Sequence, residues 1–386
     1  MFGAWRAVAL VAGWQTAASL CYYTVFAATG FLRETFAISE SLVGFFITAA
    51  MVGYTAALFP SGTAVDGYGE RPVMVAGLVG LAAAAIGVSV ASTYAAALAA
   101  GAALGVAYST AMPASNRGIV AGAPPGRENL AMGLKQVGVT AGSAAASLVI
   151  TGVAAVAAWR VGFRAVACLA VGYAGVFAVR YRGRPGTGDL AVPDVRGLLG
   201  RPTYVLVVAA GLFVGASIFT MLGYTVLYVQ DAAGGSVAVA GAALALTQVT
   251  GSVARLGAGE VADRLGGARG AAIVALLQLG LGAALFGVLA VGAASLALAL
   301  AVFAGLGLSI HGSTGVFYSC LTDLVDTDEV GAATAGGQTA INVGGVVTPP
   351  AFGYLVETGG YDAAWTLLAL TAGTGAMLLL AVARRA

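Results

Sequence analysis

Charge is what this sequence has least of. Only 9% of its 386 residues are Asp, Glu, Lys or Arg, against 60% hydrophobic. That is too few charges to solvate the surface of a water-soluble chain of this length. There is one lysine, Lys135, and one histidine, His311. With a single imidazole and no deep carboxylate beside it, neither a histidine-based catalytic group nor a histidine metal cluster can be assembled. The three cysteines, Cys21, Cys168 and Cys320, all fall inside apolar runs, which excludes a disulfide framework. No glycine-rich phosphate loop follows a strand pattern, so a nucleotide enzyme is not indicated. No enzyme activity, metal, cofactor or nucleic-acid partner is expected.

What is present is length of apolar run. Twelve segments lie near or exceed the ~20 residues that cross a bilayer as a helix. They are 6–31, 41–64, 72–92, 94–121, 129–156 and 162–180 in one half, and 203–229, 238–262, 270–292, 294–321, 330–355 and 362–383 in the other. The first is too long for the apolar core of a cleavable signal peptide and is expected to stay as a span. Gly is abundant, as close helix packing in lipid permits. The predicted fold is an all-α membrane protein of two six-helix bundles, 1–180 and 203–386, joined by a basic Gly/Pro-rich linker at 181–202. Arginines concentrate on one side: Arg71, Arg127, the linker, Arg264, Arg269, Arg384 and Arg385, against Arg33 and Arg160 on the other. That bias predicts cytoplasmic termini in a multi-pass protein of the cytoplasmic membrane. Against the trend, loop 323–329 is acidic and is expected to pair with neighbouring arginines.

The halves repeat. A turn with Gly62, Asp66, Gly69 and Arg71 recurs half a chain later as Gly259, Asp263, Arg264, Gly266 and Arg269. Gln136, Thr140 and Gly142 in the fifth segment answer to Gln338, Asn342 and Gly344 in the eleventh, and Trp159 to Trp365. Such internal similarity is the trace of a duplicated transporter bundle.

The doubled G-x-x-x-D-R-x-G-R-like loop, the twelve segments and the basic central linker resemble the major facilitator superfamily along essentially the whole chain. The first copy has Gly67 where that family usually has arginine, and the second sets its last arginine one residue further on. The resemblance implies alternating access, with the loop acting as a gate through Asp66, Arg71, Gly62, Gly69, Asp263, Arg264 and Gly259. Leu98, Ala99 and Ala100 stand where an antiporter signature needs a buried arginine, and the fifth segment lacks a Gly-Pro step. A drug/proton antiporter is therefore disfavoured, and an exporter of drugs or small metabolites is the alternative reading.

The deep ionisable groups are Lys135, Arg255 and His311. Arg255 lies eight residues from Asp263, hence ~12 Å into the hydrocarbon, and Lys135 seven from Glu128, or ~10 Å. Charges at that depth are costly and are functional candidates. The run Ala254-Arg255-Leu256-x-x-Gly259 is similar to the eighth span of monocarboxylate and oxalate–formate carriers, and the segment around Lys135 to the fifth span of cyanate-type facilitators. In that architecture the two spans face one another, so an anion held by both cations is expected. Proton-coupled monocarboxylate carriers have an aspartate where Gly251 stands here. Gln136, Gln338, Asn342, Tyr22, Tyr108 and Tyr224 complete the predicted substrate-binding set with His311, a group that could carry a proton or serve as a packing residue. A small, anionic substrate and the lipid bilayer are the expected partners of a monomer.

Overall fold

The computed structural model describes residues 2–125, 127–186, 197–292, 295–326 and 329–385, apart from the side chains at 2–4, 128 and 129. The middle of the linker, 187–196, and residues 327 and 328 of the acidic loop lie outside the described residues. The described chain is helical, with no strand among those residues.

Helices α1 (Phe2–Tyr22), α2 (Thr24–Ala27) and α3 (Thr29–Phe36) make the first span in three pieces, then come α4 (Glu40–Tyr68) and α5 (Glu70–Val90). The fourth span is split into α6 (Tyr94–Tyr108) and α7 (Ala111–Gly122), followed by α8 (Glu128–Ala154) and α9 (Trp159–Arg180). The second half runs α10 (Pro202–Asp231), α11 (Val237–Leu265) and α12 (Gly267–Ala290). Its tenth span is α13 (Leu296–Leu306), a π turn (Gly307–His311) and α14 (Thr314–Thr322). Then α15 (Val330–Arg385) carries the last two spans, hinged at Gly360, whose φ of 73° is non-helical.

The helix ends are written locally. Thr93, Ser236 and Ser295 cap α6, α11 and α13, each accepting a hydrogen bond from the main-chain N–H three residues on. In the doubled loop, Gly69 and Gly266 precede α5 and α12 with φ of 86° and 80°. The last glycine of each copy is thus the residue that lets the chain reverse in the left-handed region at no steric cost.

The chain forms two compact units. One comprises Met1–Phe31 and Ala49–Val192, the other Leu32–Thr48 and Pro193–Ala386. In the first, α8 packs along α1 where glycines admit backbone contact: a Cβ on Gly142 would lie 2.2 Å from the Thr16 carbonyl oxygen. In the second, α15 packs along α10 the same way, and a Cβ on Gly344 would lie 1.9 Å from the Leu212 oxygen. Gly142 and Gly344, paired by the sequence repeat, do the same work in each unit. In lipid, where apolar burial alone cannot hold helices together, such close approach is the main source of attraction. Trp365 is fully buried among Phe286, Phe303 and Phe352, whereas its counterpart Trp159 stacks on Phe31.

The second unit also ties the end of α3 and the start of α4 to its own helices. Arg33 donates to Glu40 at 2.6 Å and in a fork to Asp231 at 2.5 and 2.8 Å, and the Tyr361 hydroxyl donates to Asp231 at 3.1 Å. The Tyr224 hydroxyl lies 2.7 Å from the Glu40 carbonyl oxygen and 3.0 Å from that of Pro349.

Candidate functional site

Lys135, in the first unit, is 1% exposed. Its position about two turns into α8, facing α7, buries the whole stem, and Nζ donates to Asn116 Oδ1 at 2.7 Å with Met112 Sδ 3.9 Å away. The ammonium does not reach along its helix to the surface. It stays buried on neutral partners, and among the described residues it makes no ion pair.

Arg255 and His311 meet in the second unit. Arg255 Nε donates to the main-chain oxygen of His311 at 3.2 Å, and its Nη2 lies 3.3 Å from His311 Nε2. Glu260 is engaged elsewhere, with Arg264. A guanidinium is a donor only, so Nε2 must accept, which leaves the His311 proton on Nδ1. Nδ1 is buried without a hydrogen-bond partner among the described residues. The π turn sets this geometry, and such turns recur at functional sites. It also explains Gly251. A Cβ there would come 2.5 Å from His311 Cδ2, so the imidazole fills the space that an aspartate would need. Because His311 is the only histidine, a histidine-selective 15N spectrum holds one residue's signals. The Nδ1–H tautomer is expected in the wild type, shifting toward Nε2–H in Arg255→Leu; an Nε2–H wild type would rule out the pairing.

The remaining predicted residues divide. Gln338 joins Asn342 and Tyr318: the Tyr318 hydroxyl donates to Gln338 Oε1 at 2.5 Å, and Gln338 Nε2 to Asn342 Oδ1 at 2.8 Å. Asn342 is fully buried, and its Nδ2 has no hydrogen-bond partner among the described residues. Gln136, the counterpart of Gln338 in the repeat, is exposed. Tyr22 and Tyr108 stack at 4.2 Å with 2° between their planes. Tyr224 departs from the expected role, since its hydroxyl braces α4 and α15 through main-chain oxygens.

The two copies of the repeated loop are unlike one another. In the first, Arg117 is the hub: Nη1 donates to Asp66 Oδ1 at 3.1 Å and Nε lies 3.2 Å from Glu70 Oε2. Glu70 is fully buried and also accepts from Tyr181 at 3.2 Å and the Arg184 N–H at 2.8 Å. Arg71 donates to the Ala178 carbonyl oxygen. In the second loop, Arg264 pairs with Glu260 on the exposed surface and Asp263 is exposed. Gly62 and Gly259 have open space where a Cβ would go, so no close contact requires glycine there. Glu70, Arg117, Asn116 and Tyr318 were missed as site residues. Glu70 directly follows the turn glycine, a signal that was available; the others are visible only once the spans are packed. The acidic loop finds its arginine: Arg201 forks onto Glu329 with two 2.7 Å bonds, which hold the Glu329 carboxyl below its usual range.

A family model described as Major Facilitator Superfamily matches residues 11–331. The chain belongs to that superfamily of transporters. No curated protein sequence matches it. Among solved structures it is similar to a bacterial homologue of the human lysosomal transporter Spinster, inward-facing and occupied, at 13% identity and TM-score 0.75 over 98% of this chain and 94% of that one. It is also similar to a D-xylose–proton symporter at 16% identity and TM-score 0.79, covering 96% of each chain. At such identities the likeness shows the fold alone. This facilitator is a multi-pass membrane protein, with ten helices among the described residues long and apolar enough to cross a bilayer. One of these, α15, is broken at Gly360 into two, and α1–α3 supply a further span.

Proposed function

We propose that this facilitator is a secondary transporter that moves a small anion, a carboxylate in particular, across the cytoplasmic membrane by alternating access. The arginine bias supports an orientation with both termini in the cytoplasm, and the transporter acts as a monomer.

The observation that carries this reading is Lys135. A buried ammonium that has, among the described residues, an amide oxygen and a thioether beside it and no carboxylate has lost its hydration without gaining a counter-charge there. Such a charge is tolerated when a ligand supplies what the protein does not. Arg255 supports the reading from the second unit, because its planar fork matches a carboxylate and is held by a neutral imidazole and a carbonyl oxygen.

The test is a thermal-shift titration of purified protein with acetate, oxalate and nitrate. Lys135→Met is expected to melt no lower than wild type without ligand, since it removes a buried uncompensated charge. The same substitution is expected to weaken anion binding by about 1.5–3 kcal/mol, the worth of a charged hydrogen bond. Arg255→Lys keeps the charge but loses the fork, and weakens carboxylate binding more than nitrate binding. Unchanged anion affinity in Lys135→Met would refute the assignment.

A further inference from the structure

The ammonium of Lys135 is not isolated from the aromatic side chains of its unit. Between α6 and α7, Ser109 and Thr110 keep right-handed helical dihedrals, with φ/ψ of −57°/−23° and −67°/−19°. Tyr108, Met112 and Asn116 therefore stay on one face of the fourth span at four-residue spacing, about 6 Å apart along the axis. Asn116 and Met112 hold Lys135, and Tyr108 stacks on Tyr22. Tyr54 meets both rings at steep angles, with centroids 5.9 and 5.6 Å away.

This cluster is poorly explained as packing alone. Among the described residues the Tyr22 hydroxyl has only the Met51 sulfur, at 3.1 Å, a weak acceptor for a phenol. Tyr108 lies 3.1 Å from Ser19 Oγ, which accepts from Gln15 Nε2 at 3.2 Å. The chain ends on Gln15 Oε1, an amide oxygen in a side chain 2% exposed, with no partner among the described residues. Lys135 likewise has three N–H donors, of which Asn116 uses one and a sulfur a weak second. A cation with spare donors, an unanswered acceptor and a flat stacked ring pair thus lie in one unit, the cation's partners and one ring of the pair on the same face of the fourth span.

We propose that the transported anion is a carboxylate bearing one aromatic ring, its carboxylate on Lys135 and its ring against the Tyr22–Tyr108 pair. The proposal rests on the anion reading given above and narrows it. A planar ring extends the stack in the offset or edge-on arrangements that aromatic groups favour. A ring substituent with an N–H or O–H would answer Gln15.

The test uses purified full-length protein titrated with benzoate, acetate and benzyl alcohol, followed by thermal shift. In the wild type benzoate is expected to bind about tenfold more tightly than acetate, the worth of one added aromatic contact. Benzyl alcohol, with the ring but no charge, is expected to bind far more weakly than benzoate. Tyr108→Leu narrows the benzoate-to-acetate ratio about tenfold, and Tyr108→Phe, which keeps the ring, preserves it. Equal wild-type affinity for benzoate and acetate, or no benzoate binding, overturns the aromatic class without needing any variant to fold. Benzyl alcohol binding as tightly as benzoate overturns it too. If carboxylates bind but Lys135→Met binds them as the wild type does, it is the anion assignment to Lys135 that fails, and the two failures are distinguished.

Discussion

Gly344→Val is expected to remove the folded protein almost entirely from a detergent extract. The Cβ would sit 1.9 Å from the Leu212 carbonyl oxygen and 2.6 Å from the Ala216 nitrogen, both main-chain atoms that cannot rotate away. Helices α10 and α15 would have to separate along their whole contact. Overpacking typically costs about 1–3 kcal/mol where side chains can give, and this contact offers only backbone, so the upper end or beyond is expected. Gly142→Val should behave alike, since its Cβ meets the Thr16 oxygen at 2.2 Å. Gly280→Ala is the control: nothing lies within 4 Å of its Cβ, and alanine in place of a helical glycine is worth about 1 kcal/mol of stability. Melting temperature and monodisperse yield are the measurements. A Gly344→Val protein that melts within a few degrees of wild type would mean that the two helices do not touch as described.

The second large effect is expected from Arg117→Met. It leaves Glu70, fully buried, with a tyrosine hydroxyl and one main-chain N–H but no counter-charge. Breaking a buried pair from one side costs about 3–5 kcal/mol, because the stranded charge keeps its desolvation penalty. The lower end is expected here, since the Arg117 side chain is 24% exposed and water can partly replace it. Arg117→Met with Glu70→Gln should recover most of the loss, the two residues acting as one unit. Strictly additive losses in the double variant would show that Glu70 does not depend on Arg117. Asp66 also contacts Arg117 but is exposed on its own side chain, so Asp66→Asn should cost much less.

The contrast between Gly142 and Glu70 shows how far the sequence carries. Gly142 and Gly344 are legible as a repeat because a glycine retained at matching places in two halves has a backbone reason, and the structure supplies it at both. Gly69 and Gly266 are legible for the same cause, a left-handed turn that only glycine enters freely. The helical membrane fold was legible because a bilayer imposes run length, and apolar composition over twelve segments meets that requirement with few exceptions.

Pairing was not legible. Lys135 and Arg255 stand out by depth alone, yet nothing in the chain order says that Lys135 meets Asn116 or that Arg255 meets His311. Those partners lie on other helices, and which faces meet is set by packing rather than by local pattern. The inequality of the two repeated loops is likewise tertiary. Their sequences are near copies, but only the first carries Glu70, which meets Arg117 of α7, so one loop holds a buried carboxylate in an ion pair and the other an exposed pair. Sequence alone determined the class, the duplication and the rare deep cations, because lipid and backbone sterics act on each segment locally. Tertiary structure decided which charges are answered and which are not, because a counter-charge or hydrogen-bond partner comes from whichever helix the packing brings alongside.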